Sequence, residues 1–245
     1  MAATRALLDR LLNPLRAAPK QSALFLDFDG VLAPIVARPE DAYPPPETRG
    51  ELARLARTYG LVAVVSGRAT DDVRARVGVD GIVYVGSHGL ELDPEADRWR
   101  QRIADFSSAA AWPPAEIENK GLSVAFHFRS RPDEAAAVVE LETIAEQARD
   151  EGLTARFGRK VLEVLPPVGS NKGTAVRRLL GDAGLSRALV AGDDTTDLDA
   201  FRAVDGLEHK VRVAVVSEES PTLLTEHAEL VVSSTGEFLE LLHTL

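Results

Sequence analysis

The sequence predicts an α/β protein, a doubly wound parallel-sheet core with a smaller α+β cap domain inserted into it. Three observations carry this expectation. Four short runs rich in β-branched residues, ALFLDFDG at 23–30, LVAVVSGR at 61–68, ALVAGDD at 188–194 and VRVAVVS at 211–217, are apolar on both faces and are followed by helical patterns. Strands of that kind belong to parallel sheets whose crossover helices bury both faces. The runs end in Gly, Asp or Ser, which places Asp27, Asp29, Ser66, Asp193 and Asp194 along one sheet edge, where ligands bind in such sheets. Between about residues 101 and 166 the pattern changes to strict alternation and an amphipathic helix. The 245 residues suit a main domain plus a smaller one: 1–100 as the first part of the core, 101–166 as the inserted cap and 167–245 as the rest of the core.

At the N-terminus, Leu7, Leu8, Leu11, Leu12 and Leu15 recur at helical spacing and predict a leading amphipathic helix. Charges among those leucines break the continuous apolar region that a signal peptide requires. No stretch approaches the ~18 apolar residues of a membrane span. YPPPET at 43–48 reads as a loop. In GLSVAFHFRS, Leu122, Val124, Phe126 and Phe128 share one face and Ser123, Ala125, His127 and Arg129 the other, the mark of a half-exposed antiparallel strand. Pro132, Asp133 and Glu134 then open a helix, Gly152 closes it, and RKVLEVLP supplies a second strand, so the insert reads as strand, helix, strand. After Pro166 and Pro167 a helix is N-capped by Ser170 or Asn171 and ends near Gly181, with Lys172 in its first turn. A cation there opposes the helix dipole, which points to an anionic partner.

With 45% hydrophobic and 27% charged residues the chain is an ordinary globular protein. Its 28 basic and 38 acidic residues give a net charge of −10, which disfavours nucleic acid and anionic membranes as partners. The absence of cysteine excludes disulfides, a thiolate nucleophile and a Cys-type zinc site, and fits a cytoplasmic protein. The sequence sets no oligomeric state, and a monomer is compatible with it.

Asp27 and Asp29, two residues apart at a strand end, face the same cavity and repel unless one is protonated or a cation is recruited. A hard cation such as Mg²⁺ prefers oxygen ligands, and Asp193 and Asp194 can add to its shell. Other readings of these loops fail. DFDGVL has Val31 and Arg38 where a calcium loop needs ligands, GDDTTD has Leu198 where it needs Gly, and GSNKGT lacks the order of a Walker A loop. Neither G-x-G-x-x-G nor G-x-S-x-G stands at a strand end. The ordered set DFDG, VVSGR, NKG and GDDTTD closely resembles the four signature motifs of the haloacid dehalogenase superfamily, whose core is Rossmann-like.

That resemblance implies the chemistry. An aspartate at Asp29 favours a phosphatase or a phosphomutase over a dehalogenase or a transport ATPase. Asp27 is then the nucleophile that forms an aspartyl phosphate. Asp29 protonates the leaving oxygen and later deprotonates the attacking water, while its backbone carbonyl helps bind Mg²⁺. Ser66 and Lys172 hold the transferring oxygens. Asp193 is a direct metal ligand, and Asp194 a direct or indirect one.

VGSHGLEL at 85–92, IENKGLSVAFHFR at 117–129, GRKVLEVLP at 158–166 and GDDTTDLDAF resemble segments of trehalose-6-phosphate phosphatases, a likeness that runs from about residue 22 over nearly the whole chain. It implies a sugar phosphate held between cap and core by Glu118, Lys120, His127, Arg129, Lys160 and Glu163, and by His88 and Glu91 from the core. Lys120, His127 and Glu163 are the foremost of these. Arg68 steadies the phosphate or its loop. His127 and Arg129 read equally well as the solvated face of a cap strand, Glu91 and Glu118 as surface charges, and Lys160 alternates away from Glu163. His209, His227 and His243 show no ligand spacing and read as structural. The family pattern would put a basic residue at Leu165 and an acidic one at Leu198. The alternatives are phosphatases of sucrose phosphate, mannosyl- or glucosyl-phosphoglycerate or a pseudo-disaccharide phosphate, a phosphomutase, and a catalytically idle regulatory domain that keeps the fold.

Overall fold

The computed structural model of the protein describes residues 2–36, 38–158, 160–217 and 220–245, with side chains from residue 6 onward. The chain runs α1 (Ala2–Ala17), β1 (Ser22–Leu26), α2 (Pro46–Thr58), β2 (Leu61–Val65), α3 (Thr70–Val77), β3 (Val83–Val85), α4 (Arg100–Ala109), β4 (Ile117–Asn119), β5 (Val124–His127), α5 (Glu134–Asp150), β6 (Thr154–Gly158), β7 (Val161–Leu165), α6 (Lys172–Ala183), β8 (Arg187–Gly192), α7 (Asp197–Ala203), β9 (His209–Val215), α8 (Thr222–Glu226), β10 (Leu230–Val232) and α9 (Thr235–His243). Among the described residues no helix is long and apolar enough to cross a membrane.

The core is a six-stranded parallel sheet in the order β10-β9-β8-β1-β2-β3. All five residues of β1 are buried because alternate side chains feed two apolar layers. Leu24 and Leu26 join Leu12 and Leu15 of α1, Leu52 and Leu55 of α2 and Phe238 of α9. Ala23 and Phe25 join Val176 and Leu180 of α6 and Phe201 of α7. From β1 the chain moves outward through β2 to β3, and after the cap it returns on the other side of β1 as β8. The strand order therefore reverses between β1 and β8, and a crevice opens at their carboxyl ends.

Local sequence chemistry fixes the helices that matter. The Asn171 side chain accepts from the Thr174 N–H while the Thr174 hydroxyl accepts from the Asn171 N–H, so a reciprocal cap starts α6 at Lys172. This helix runs to Ala183 and is closed by Gly184 at φ 63°, two residues beyond the expected end near Gly181, because Gly181 sits in ordinary helical backbone and Gly184 supplies the left-handed cap. His209 is structural, its Nε2 lying 2.7 Å from the Leu11 carbonyl of α1.

The cap is a four-stranded antiparallel sheet, β4-β5-β7-β6, with α4 and α5 on one face. Val124, Phe126, Leu162 and Val164 pack there against Ile103, Phe106, Leu141 and Ile144, with Phe106 edge-on to Phe126 at 6.2 Å. The sequence expectation of strand, helix, strand is corrected in its count. β4 has three residues, and β6, TARFG, has no buried residue and no clear alternation, so neither carries enough pattern to be seen alone. Register places Glu118, Ala125, Glu163 and Arg156 in one row across the four strands. That row turns away from α4 and α5 and faces the core's carboxyl edge.

Candidate active site

The turn after β1 carries Asp27 and Asp29. The Asp27 N–H donates to the Ala191 carbonyl at 3.1 Å, extending the β1–β8 pairing by one residue and holding Asp27 at the switch point. Gly30 follows at φ 80°, and a Cβ there would lie 2.1 Å from Asp193 Oδ2, so only glycine lets the turn close on β8.

Lys172 Nζ lies 2.7 Å from Asp27 Oδ2 and donates at 2.7 Å to Asp197 Oδ1, all three side chains being buried. Asp197 Oδ2 accepts from the N–H groups of Asp193 and Asp194 at 3.0 and 3.1 Å. Sequence reasoning named the first two aspartates of GDDTTD and missed this third. The signal was present in the motif: an acid four residues after Asp193, at the start of α7, can reach back to its own turn's N–H groups. Asp194 lines the cavity, but its Oδ1 accepts from the Thr195 N–H at 2.6 Å, within its own turn.

Carboxylate oxygens of Asp27, Asp193 and Asp197 lie within 4.8 Å of one another. Burial, with the charges of Asp197 and Asp193, pushes the Asp27 carboxyl well above its usual range despite Lys172. Burial alone would lower the Lys172 ammonium, but Asp197 and Asp27 outweigh it and raise it. Three carboxyl groups share one ammonium, and this all-oxygen donor set fits a hard divalent cation, which would relieve the repulsion that raises Asp27.

Ser66 is fully buried at the end of β2, behind the cavity wall, and its Oγ accepts from the Arg68 N–H at 3.2 Å. Asp29 accepts two parallel hydrogen bonds from Arg68, Nε to Oδ2 at 2.7 Å and Nη2 to Oδ1 at 2.8 Å. Gly67 leaves room for the His88 ring, since a Cβ there would sit 2.6 Å from it.

On the cap side Glu163 is the centre. Its Oε1 accepts from Lys120 Nζ at 3.0 Å, and its Oε2 lies 2.8 Å from His88 Nε2 and 3.2 Å from Arg156 Nη2. The His88 contact is close but off the line of a good hydrogen bond, and neither ring nitrogen has a well-aligned partner among the described residues. Burial pushes the His88 imidazole below its usual value, more than Glu163 raises it. For Glu163, burial acts upward but His88 and Lys120 outweigh it and hold the carboxyl well below its usual range. Glu118 Oε2 lies 3.0 Å from His127 Nε2 and 4.0 Å from Lys120 Nζ. Burial raises Glu118 too, yet the hydrogen bond from His127 and the charge of Lys120 bring it down to about 2.

A cavity of about 380 Å³ lies between these two sets, within the range of small-molecule sites. Its wall holds Asp27, Asp29, Arg68, His88, Glu118, Lys120, His127, Arg129, Glu163, Lys172, Asp193 and Asp194. Besides Ser66, two expected contacts fall elsewhere. Glu91 is exposed, and its Oε1 accepts from the Thr70 N–H at 3.0 Å, fastening the start of α3. Lys160, in the β6–β7 turn at φ 55°, sends its ammonium to Glu134 at 2.6 Å and does not reach the wall. Arg156 does line it and was missed, because β6 was not seen as a strand. Leu165 and Leu198 are buried, Leu165 with Leu90, Ala96 and Leu122 and Leu198 against Phe201, so both positions serve packing.

The chain matches the trehalose-phosphatase family over residues 25–225. It is 30% identical over 250 residues to a probable trehalose-phosphate phosphatase D of Arabidopsis thaliana, covering 90% of this chain and 67% of that protein. It is 36% identical over 243 residues to a trehalose-phosphate phosphatase of Mycobacterium marinum, covering 83% of this chain and 60% of that one. It thus spans about two thirds or less of the curated relatives' lengths. Among solved structures, the C-terminal domain of Candida albicans trehalose-6-phosphate phosphatase superposes with a TM-score of 0.78 at 21% identity, covering 97% of this chain and 95% of that one, a likeness of fold.

Proposed function

Because the chain belongs to the trehalose-phosphatase family, we propose that it hydrolyses trehalose 6-phosphate to trehalose and phosphate, with Mg²⁺ as the cation. The observation that carries this reading is that one cavity has two unlike walls. Asp27 and Lys172 stand at the strand switch point on one side, and Lys120, Glu118, His127 and Glu163 of the cap face them on the other. The first wall suits a phosphoryl group and the second a polyhydroxylated body.

In the proposed reaction an Asp27 carboxylate oxygen bonds to phosphorus as the phosphorus–sugar oxygen bond breaks. Asp29, which takes up a proton from solvent before substrate is enclosed, gives that proton to the departing sugar oxygen. Asp29 then takes a proton from water, the water oxygen bonds to phosphorus, and the bond to Asp27 breaks, restoring the carboxylate. Lys172 holds the transferring oxygens, Ser66, buried behind the wall, fixes the backbone at Arg68, and Asp197 keeps Lys172 charged and the 193–194 turn in place. Asp27 and Asp193, with the Asp29 carbonyl, would hold the cation, and Asp194 stands beside them. A bound divalent cation offsets charge on the phosphoryl group and on Asp27. A cytoplasmic place of work fits that substrate, since a phosphorylated sugar is charged and does not cross a membrane unaided. A second reading, another disaccharide phosphate such as sucrose phosphate, draws on the two leucines at positions 165 and 198.

Phosphate release from trehalose 6-phosphate, beside sucrose 6-phosphate, glucose 6-phosphate and mannosylphosphoglycerate, tests this with Mg²⁺ and with EDTA. The expected result is strong preference for the first ester, loss of turnover in EDTA, and none for a folded Asp27→Asn variant. Preference for another ester would overturn the substrate; an active Asp27→Asn enzyme would overturn the mechanism.

A further inference from the structure

Arg68 was expected to steady either the phosphate or a loop, and its hydrogen bonds favour neither alone. Nε and Nη2 bind Asp29, Nη2 also donates to the Pro39 carbonyl at 2.8 Å, and Nη1 donates to Asp72 Oδ2 at 3.0 Å. The guanidinium carbon stands 5.2 Å from the centre of the Phe28 ring. Every nitrogen of the fork is engaged by the protein, which leaves the group better placed to orient Asp29 than to grip a phosphate. The chain of contacts continues. Asp72 Oδ1 accepts from Arg76 Nε at 2.8 Å, and Arg76 Nη1 donates to the Glu40 and Ala42 carbonyls at 3.0 and 2.9 Å. Asp72 and Arg76, four residues apart, share one side of α3, and Arg68 lies just before that helix's N-terminus.

On the reading of the site as a phosphatase, we propose that Asp72 and Arg76 are positioning residues for Asp29: with Arg68 they form a clasp that sets the direction of its carboxylate and ties it to the loop 38–42 at the cavity mouth. Neither residue lines the cavity. Asp72 holds the far end of Arg68, so Asp29 meets a guanidinium that is already fixed. Arg76 fixes Asp72 in turn and fastens the loop backbone to the same helix. The clasp therefore acts on the step that needs Asp29 pointed at the departing oxygen.

That step can be isolated by the leaving group. A sugar alkoxide needs a proton as it departs, and 4-nitrophenolate does not. The parameter kcat/KM covers events through cleavage of the ester bond, so later hydrolysis of the enzyme-bound phosphate does not enter it. General acid catalysis contributes ~10²–10⁴-fold, and misorientation forfeits part of that. For Asp72→Asn, kcat/KM with trehalose 6-phosphate should fall about tenfold while that with 4-nitrophenyl phosphate changes less than about twofold. Arg76→Gln should shift the same ratio in the same direction by roughly threefold, and it decides the matter if Asp72→Asn does not fold. Equal losses on both esters, or no loss on either, would overturn the clasp. If the wild-type enzyme cleaves 4-nitrophenyl phosphate but not trehalose 6-phosphate, the substrate assignment fails, and the same comparison with whichever alkyl phosphate of the panel it does cleave decides the clasp.

Discussion

Glu118 and Glu163 stay ionised in places where burial alone would favour their protonated forms. Their neighbours reverse the balance, bringing Glu118 from 4.5 to about 2 and Glu163 well below 4.5. For both, the unfolded chain takes up a proton at higher pH than the folded one. Their contribution to stability is therefore fully present above about 4.5 and is lost as pH falls through the folded values. His88 adds to the slope. Its imidazole is pushed below 6.5 by burial, so the fold begins to lose ground to a protonated unfolded chain as pH drops below about 6.5. Asp27 works in the opposite direction, since its raised carboxyl binds a proton more readily in the fold. Three groups against one predict a melting temperature in EDTA that falls steadily from pH 7 to pH 3. Glu163→Gln should flatten that slope below pH 4.5. A wild-type curve that is level over this range would show that the cap carboxylates are not held as described.

The turn between β1 and the loop that follows is the element on which the two halves of the site depend. Gly30 combines φ 80° with a position where a Cβ would overlap the Asp193 carboxylate at 2.1 Å. Gly30→Ala is accordingly expected to abolish turnover and to destabilise the fold by roughly 1–3 kcal/mol, from left-handed backbone strain plus displacement of Asp193; thermal melts and the trehalose 6-phosphate assay read the two effects, and an active Gly30→Ala enzyme would refute the close approach. This turn also shows what could be read from sequence. DFDG and GDDTTD announced the site because acids at the ends of buried strands are conspicuous, and the four long runs gave the centre of the sheet. The edge strands β3 and β10, three residues each, left no period to detect. Arg156 was hidden for a different reason: its role depends on the register of a strand without alternation, which spacing along the chain does not express. Asp197 did carry a spacing signal, four residues after Asp193, but only as part of a turn that folds back on itself. Glu91 and Lys160 erred in the reverse sense: the right residue types in the right segments, but directed by local backbone toward Thr70 and Glu134.

At the scale of the molecule, the cavity divides labour between two bodies, and Glu163 is where they meet. It comes from β7 of the cap, and its Oε2 lies 2.8 Å from His88, which belongs to the core segment after β3. Its other oxygen is held by Lys120, and Arg156 closes the third side. None of these cap groups touches Asp27 or Lys172 in the structure, so on the proposed function the cap would select and hold the sugar while the core moves the phosphoryl group. Replacing Glu163 by Gln removes the charge that organises Lys120, His88 and Arg156 without altering the shape of the wall. Hydrogen bonds to a charged group are worth about 1.5–3 kcal/mol, which corresponds to roughly 10- to 150-fold in kcat/KM. The loss should therefore appear with trehalose 6-phosphate and be nearly absent with 4-nitrophenyl phosphate, whose ring makes no demand on those donors and acceptors. The clasp variant Asp72→Asn is expected to give the same contrast between esters in kcat/KM with little change in KM, whereas Glu163→Gln acts chiefly by raising KM for trehalose 6-phosphate, because it alters binding of the sugar and leaves proton delivery intact. A Glu163→Gln enzyme that loses both esters equally would mean that the cap charge supports the core's chemistry directly, and the division of labour between the two bodies would not hold.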